Sequence, residues 1–362
     1  MSPIHTSKTD TSSNTLVILL PVFDDWEAVQ RLLVQLDGVF TEWSIESQVL
    51  IVNDGSTTTL APVAPCPEHD FQAIVRVDIL HLRRNLGHQR AIAIGLAYIE
   101  GRVACRAVVL MDSDGEDDPR DVPRLLEKYQ QEAWQKIIFA ERTRRSESIL
   151  FRVFYWLYKV VHVLLTGRSI YVGNFSVIPF CRLSSLVAVS EMWNHYAAAV
   201  FTSHQPFDSI PTTRAKRLDG QSKMNFVKLV AHGLSVISTY SDIVGVRLLL
   251  VTSVLIIMAL VGIVSIAVLR LGTDLAIPGW ATYTVGILLM LLVQAVMFAF
   301  IFSFVILAGR SGLTFLPLRD YRYFVSRVET VYKRRCQATA TSVQNSICLR
   351  WRRRGKRISA AT

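Results

Sequence analysis

Five acidic side chains, Asp112, Asp114, Glu116, Asp117 and Asp118, fall within the stretch VVLMDSDGEDDP at 108–119, directly after an apolar, β-branched run. Carboxylates at that density repel one another unless they sit in a solvated turn or share a cation. Asp112, Asp114 and Glu116 alternate, so on an extended backbone they point the same way. Hard oxygen ligands so placed suit Mg²⁺ or Mn²⁺, and such an ion can bridge a diphosphate. Asp117 or Asp118, by contrast, would cap a helix starting near Pro119. A bare Asp-x-Asp is a weak signal. It gains weight if it stands at the tip of a central strand beside other polar turns.

The surrounding sequence supplies that setting. The segments 15–22, 47–54, 76–82, 106–112 and 135–141 are short and nearly all apolar, as strands covered on both faces are. Amphipathic helical patterns at 26–39, 87–101 and 118–131 separate them. Alternating β and α predicts a parallel, doubly wound sheet whose ligands bind beyond the carboxyl ends of the strands. Asp24-Asp25, Asn53-Asp54 and Asp112 onward fall at three such ends.

The chain has 362 residues, 51% of them hydrophobic, and two structural units are expected. Its net charge of +10 is uneven: residues 309–362 hold 13 Lys/Arg against 2 Asp/Glu, which leaves −1 for the first 308. A near-neutral body with a basic tail argues against a nucleic-acid-coating protein. The five cysteines (Cys66, Cys105, Cys181, Cys336, Cys348) show no metal-ligand spacing, which suits free thiols in a reducing compartment. Residues 248–269 carry no charge between Arg247 and Arg270, and as a helix they would run about 33 Å, enough to cross a bilayer's hydrocarbon layer. Residues 281–308 are also uncharged. Core helices of soluble proteins rarely run so long without a charge. The loop between the runs is poor in positive charge and the tail is rich in it, so both termini are expected in the cytoplasm. Residues 224–240 have apolar positions at helical spacing and are expected to lie along the bilayer surface. The predicted units are a disordered terminus (1–14), a catalytic domain (15–223), an interfacial helix (224–243), two spans (244–271 and 280–308) and a basic tail (309–362) against anionic headgroups.

LLPVFDDWE, IVNDGST, RNLGHQRAIAIGL and VVLMDSDGEDDP together resemble family 2 glycosyltransferases of the GT-A fold, in the branch that loads sugars onto polyprenyl phosphates. The resemblance covers about residues 15–310. It implies an α/β, Rossmann-like, mostly parallel sheet followed by an interfacial helix and a two-helix transmembrane hairpin. It also implies a UDP- or GDP-sugar donor, an undecaprenyl or dolichyl phosphate acceptor, a divalent metal, a bacterial inner-membrane location with the active site on the cytoplasmic face, and a homo-oligomer, tetrameric in some relatives. By position, Pro21, Phe23 and Asp25 match the turn that cradles base and ribose, joined by Asn53 and by Asp54, which contacts the base. Asp112 and Asp114 match the Asp-x-Asp, with Glu116 as a further metal-side ligand. Arg142, Arg152, Ser222 and Lys223 resemble residues that meet the acceptor phosphate, and Arg217 belongs to the same RLDGQSKM element. Asn174 and Ser176 stand where relatives carry charged groups. Trp193 and His195 could line a sugar pocket, although a structural role is favoured.

A polyprenyl phosphate is largely ionised near neutral pH, so it can attack the anomeric carbon without a general base. The expected reaction is therefore a single inverting displacement. Transfer to a lipid hydroxyl would instead require a base, for which Asp117 or Asp118 are candidates. A polysaccharide synthase of the same fold fits less well, because the only Arg-Trp pair, Arg350-Trp351, follows both spans. A nucleotide-binding membrane scaffold without catalysis is the non-enzymatic alternative.

Overall fold

A computed structural model describes residues 15–58, 70–142, 160–167, 172–218, 239–272, 279–311 and 315–334. The first strand, β1 (Leu16–Val22), is buried along its whole length. It pairs in parallel with β2 (Ser47–Asn53) on one side and β4 (Ala107–Leu110) on the other, and β2 pairs in parallel with β3 (Ile74–Leu82). Alternate residues of β1 feed opposite faces: Val17 and Leu19 join one core, and Ile18, Leu20 and Val22 join the other. Helix α1 (Trp26–Glu42) covers the second face with Val29, Leu32, Leu33, Leu36 and Phe40. Helix α2 (His88–Arg102) covers the first, and lies so close that a Cβ on Gly95 would come within 2.6 Å of the Leu19 side chain. Helix α3 (Asp121–Gln131), strand β5 (Ile137–Arg142) and the short helices α4 (Phe180–Val187) and α5 (Tyr196–Thr202) follow.

The eight-stranded sheet has the order β7-β5-β6-β4-β1-β2-β3-β8, where β6 is Ser176–Pro179, β7 is Phe207–Thr212 and β8 is Val325–Lys333. The mostly parallel α/β class expected from the sequence is the one formed. Three strands lie outside the sequence reading: β6, β7 and β8. Strand β6 has only four residues, all buried, and runs antiparallel between β4 and β5. It is too short for its pattern to register.

Strand β8 lies within the segment read from the sequence as a basic tail from 309, where no strand was expected. The chain returns after the two long helices and pairs antiparallel with β3, closing that edge of the sheet. Its charges, Arg327, Glu329 and Lys333, conceal the strand in the sequence. Charged side chains are common on edge strands, where they deter pairing with other chains. Trp193 anchors the return, its ring 3.7 Å from Phe315 and 5.3 Å from Phe324 between centroids. The structural role favoured for Trp193 is thus the one its contacts show.

Helices α6 (Ser241–Gly272) and α7 (Trp280–Ser311) have 32 residues each, long and apolar enough to span a bilayer. They pack antiparallel, with Gly245 against Ile306 and Gly262 against Leu288. Their outward faces present Leu, Ile, Val, Met and Phe, as helices in a soluble core do not. At the foot of α6, Arg247 Nη1 donates to Leu164 O (2.8 Å) of a helical segment at 160–166. The expected interfacial helix lies outside the described residues except for 239 and 240, which form a turn, and 241–243, which begin α6. Cys105 is buried and Cys181 exposed, and neither is in a disulfide.

Candidate active site

Three turns meet beyond the carboxyl ends of β1, β2 and β4. The turn after β1 pivots on Asp24, whose φ of 59° is rare for a non-glycine residue. Its carboxylate accepts the backbone N–H groups of Thr57 (2.7 Å) and Thr58 (2.9 Å) and both of their hydroxyls. Partial burial pushes its pKa up, but the bonds from Thr58 and Thr57 outweigh this and hold the carboxyl below the usual carboxylate range. Asp24 therefore joins the first turn to the second. Asp25, the residue singled out from the sequence, starts α1 by accepting Val29 N–H on its carbonyl (3.2 Å). Pro21 is buried within β1 opposite Val52, and Phe23 is half-buried just beyond.

In the turn after β2, Asn53 Oδ1 accepts the Ser56 N–H (2.9 Å), and Ser56 Oγ in turn accepts the Asp24 N–H (3.0 Å). Gly55 has φ 69°, and a Cβ there would lie 2.6 Å from the Asn85 backbone nitrogen, so this position requires glycine. Asp54 is buried and uses both oxygens structurally, on the Leu86 N–H (2.7 Å) and the Gly87 N–H (2.9 Å). Desolvation raises its pKa, against the pull of those two bonds. The base-contacting role implied for Asp54 thus falls on a carboxylate that already builds the loop leading into α2.

The acidic cluster is not an extended strip. Strand β4 ends at Leu110, residues 113–114 form a turn, and Gly115 has φ 81°. The carboxylates consequently fan out. Asp117 turns inward and accepts the Asp112 N–H (2.9 Å), and Asp118 accepts the Arg120 N–H and grips its guanidinium. Neither caps a helix at Pro119, because α3 begins only at Asp121. Asp114 Oδ2 lies 3.0 Å from Arg217 Nη2, and Glu116 is paired with Arg214. The segment carrying those arginines is fixed by the Leu218 N–H to Asp114 O (3.0 Å) and the Ala215 N–H to Glu116 O (3.0 Å). Arg31 Nη1 donates to Leu218 O (2.8 Å). Acidic turn and basic segment form one electrostatic unit, with Arg217 against Asp114 and Arg214 against Glu116.

Asp112 Oδ1 faces His88 Nε2 at 3.1 Å, and Asn174 Nδ2 lies 3.0 Å from the same nitrogen. Desolvation disfavours a charged His88, but Asp112 outweighs it, helped by Asp114 and Asp117, so the pKa is raised. Gln89 extends the network, donating to Asn174 Oδ1 (3.1 Å) and accepting the Tyr196 N–H (2.8 Å). Ser176 Oγ is 2.7 Å from Tyr196 Oη. His88, Gln89 and Arg214 were not singled out from the sequence. Their signal was the position of His88 and Gln89 straight after Gly87, which opens α2 at a strand's carboxyl end. His195 is structural: its Nδ1 accepts the Ala198 N–H (3.3 Å) and caps the helix Tyr196–Thr202. Of the acceptor-side residues, Arg142 ends β5 with its side chain outside the described set, and Arg152, Ser222 and Lys223 lie outside it altogether.

The donor set suits a hard divalent cation. Among the described residues no three Asp, Glu, His or Cys side chains form a ready-made cage. Mg²⁺ is commonly held by one or two carboxylates, with substrate phosphates completing its shell. Asp112, Asp114 and Glu116 can supply those carboxylates. Arg217 and Arg214 lie against Asp114 and Glu116, and His88 against Asp112.

Residues 17–185 match the family model described as glycosyl transferase family 2. Over that segment the chain matches the family 2 glycosyltransferases. The matched residues contain all three turns. The chain is similar to YkcC of Bacillus subtilis (strain 168), an uncharacterized glycosyltransferase, at 25% identity over 76% of this chain and 85% of the relative. It is 23% identical to undecaprenyl-phosphate 4-deoxy-4-formamido-L-arabinose transferase of Erwinia tasmaniensis, over 61% of this chain and 66% of that one. Against dodecaprenyl-phosphate galacturonate synthase of Rhizobium johnstonii the identity is 20%, over 47% and 49% of the two chains. Among solved structures, glucosyl-3-phosphoglycerate synthase of Mycobacterium tuberculosis, in complex with Mn²⁺, UDP-glucose and phosphoglyceric acid, aligns with TM-score 0.46 and 14% identity over 64% of this chain and 80% of that one.

Proposed function

We propose that this chain is a family 2 glycosyltransferase that moves a sugar from a nucleotide-sugar to a polyprenyl phosphate at the cytoplasmic surface of a membrane it spans twice. The single observation that carries the reading is the joining, in one chain, of a carboxylate–arginine site at the tips of parallel strands to two helices of bilayer length. Two relatives, the undecaprenyl-phosphate 4-deoxy-4-formamido-L-arabinose transferase and the dodecaprenyl-phosphate galacturonate synthase, support the acceptor class.

Asp112 and Asp114, with Glu116, would hold Mg²⁺ or Mn²⁺, which neutralises charge developing on the departing diphosphate. The chain's own groups do the rest. The turns at 23–25 and 53–58 receive the nucleoside. Arg217 and Arg214 lie against the carboxylates and present cationic N–H groups to phosphate oxygens. Arg142, Arg152, Ser222 and Lys223 are proposed to face the acceptor phosphate.

The dianionic acceptor needs no base. Asp117 and Asp118 are both committed elsewhere, and the Arg120 guanidinium beside Asp118 holds that carboxyl below its ordinary range. Neither is poised to take a proton from a hydroxyl, which favours the phosphate acceptor over a lipid alcohol. The product is an inverted glycosyl phosphodiester with no covalent enzyme intermediate.

The test incubates the purified full chain with undecaprenyl phosphate, a panel of UDP- and GDP-sugars and Mn²⁺, and reads lipid masses. One sugar-loaded lipid is expected, abolished by Asp114→Ala and by EDTA. Undiminished transfer by Asp114→Ala in EDTA would refute the metal assignment. Transfer to diacylglycerol alone would refute the acceptor.

A further inference from the structure

We infer that His81 and Glu329 are positioning residues for the donor site, linking the strand that follows the membrane helices to the turn that receives the nucleoside. The inference rests on the nucleotide-sugar reading above and adds two residues to it.

The chain of bonds fixes its own protonation. A backbone N–H can only donate, so the atom of Asn53 facing Ser56 N (2.9 Å) must be Oδ1, and Nδ2 faces His81 Nδ1 at 3.1 Å. An amide nitrogen can only donate as well, so His81 Nδ1 is an unprotonated acceptor. The proton of the neutral ring therefore sits on Nε2, which lies 3.4 Å from Glu329 Oε2, near enough for electrostatic attraction although not in hydrogen-bond geometry. Desolvation, with Arg327 next, keeps His81 in the neutral form against the opposing pull of Glu329.

The arrangement is buried where it meets the turn: His81 and Asn53 are 8% and 7% exposed. From Asn53 it continues through Ser56 to the Asp24 N–H (3.0 Å), whose carboxylate binds Thr57 and Thr58. Glu329 stands on β8, and β8 exists only because the chain comes back from α7 to pair with β3. The His81 ring that meets the Asn53 amide, at the start of the 53–58 turn, is thus backed by a residue delivered from beyond the apolar helices. A ring protonated on Nδ1, as the other tautomer or as the imidazolium, would set an N–H against the Asn53 amide N–H and release the turn.

The experiment titrates UDP and, separately, GDP into the purified full chain by calorimetry, with steady-state turnover in parallel. His81→Phe should weaken nucleotide binding and raise donor KM by roughly five- to tenfold, the size expected for one lost buried hydrogen bond, with kcat at saturating donor changed less than about twofold. His81→Gln, which keeps an acceptor and a donor at the two ends, should recover most of that loss. Glu329→Ala leaves the imidazole in place and should weaken binding about two- to threefold. Thr330→Ala is the control: its hydroxyl bonds Asp78 (2.6 Å) on the same strand pair without touching His81, so nucleotide affinity should not move. Equal losses in Thr330→Ala and His81→Phe, or no rescue by His81→Gln, would mean that His81 merely holds the sheet edge, and would overturn the inference. A wild-type chain that binds neither nucleotide would instead overturn the donor reading, and the inference with it.

Discussion

Asp24 shows what a single carboxylate can decide. It ties the first turn to the second through four bonds, and Asp24→Asn should cost roughly 1–3 kcal/mol by weakening charge-assisted bonds to two amides and two hydroxyls. Its pKa is depressed on folding, so its contribution is complete above the unfolded value of about 3.9 and is lost as pH falls through the lower folded value. Melting temperatures measured between pH 6 and 3 should therefore fall more steeply below pH 4 for wild type than for Asp24→Asn. Parallel curves would show that the carboxylate is not ionised in these bonds. Gly55→Ala is a second test, since it combines a positive φ with a backbone atom 2.6 Å away. A loss of about 1–3 kcal/mol is expected, read by thermal melting. Asp112 and Asp114 were legible at this scale because carboxylates after a strand announce themselves. His88 was not: a histidine at a helix start gains meaning only when folding places it 3.1 Å from Asp112, 24 positions away in sequence.

Among elements, the buried strands β1 to β5 and helices α1 to α3 could be read from apolar runs and helical spacing. Strand β8 could not. A strand at the sheet edge keeps one row of polar groups toward solvent, so its charges read as tail. Its anchor is aromatic. Trp193→Ala would leave Phe315 and Phe324 without their central ring and remove the surface over which Arg90 sits (5.2 Å). A destabilisation of about 2–4 kcal/mol is expected for this half-buried ring. Limited proteolysis should then cut the chain between 312 and 334 faster than in wild type. An unchanged digestion pattern would show that the β3–β8 pairing holds the return by itself.

For the whole molecule, the pairing of β8 with β3 sets a topological condition. Strands before and after the two apolar helices belong to one sheet, so both outer ends of the pair must lie on the same side of any bilayer they cross. Charge asymmetry in the sequence led to the same arrangement by a separate physical route. Cys181, exposed on the catalytic domain, provides the measurement. In a variant with Cys181 as its sole cysteine, an impermeant maleimide should label inside-out membrane vesicles and spare right-side-out vesicles until detergent is added. Labelling of intact right-side-out vesicles would place the catalytic domain outside.

Composition and periodicity determined by themselves that the chain has a parallel α/β domain, an acidic turn after a central strand and two apolar helices. Each of these depends on which residues are neighbours along the chain. Only the tertiary structure decided how the carboxylates are shared: Asp114 and Glu116 with arginines about a hundred positions away, Asp54 and Asp24 with backbone amides of other turns, Asp117 with its own loop. Those choices are made by which loops the sheet order brings together. A carboxylate near a dozen candidate donors in sequence meets only the few that packing sets within 3 Å, and in a low-dielectric turn those few fix its charge and its role.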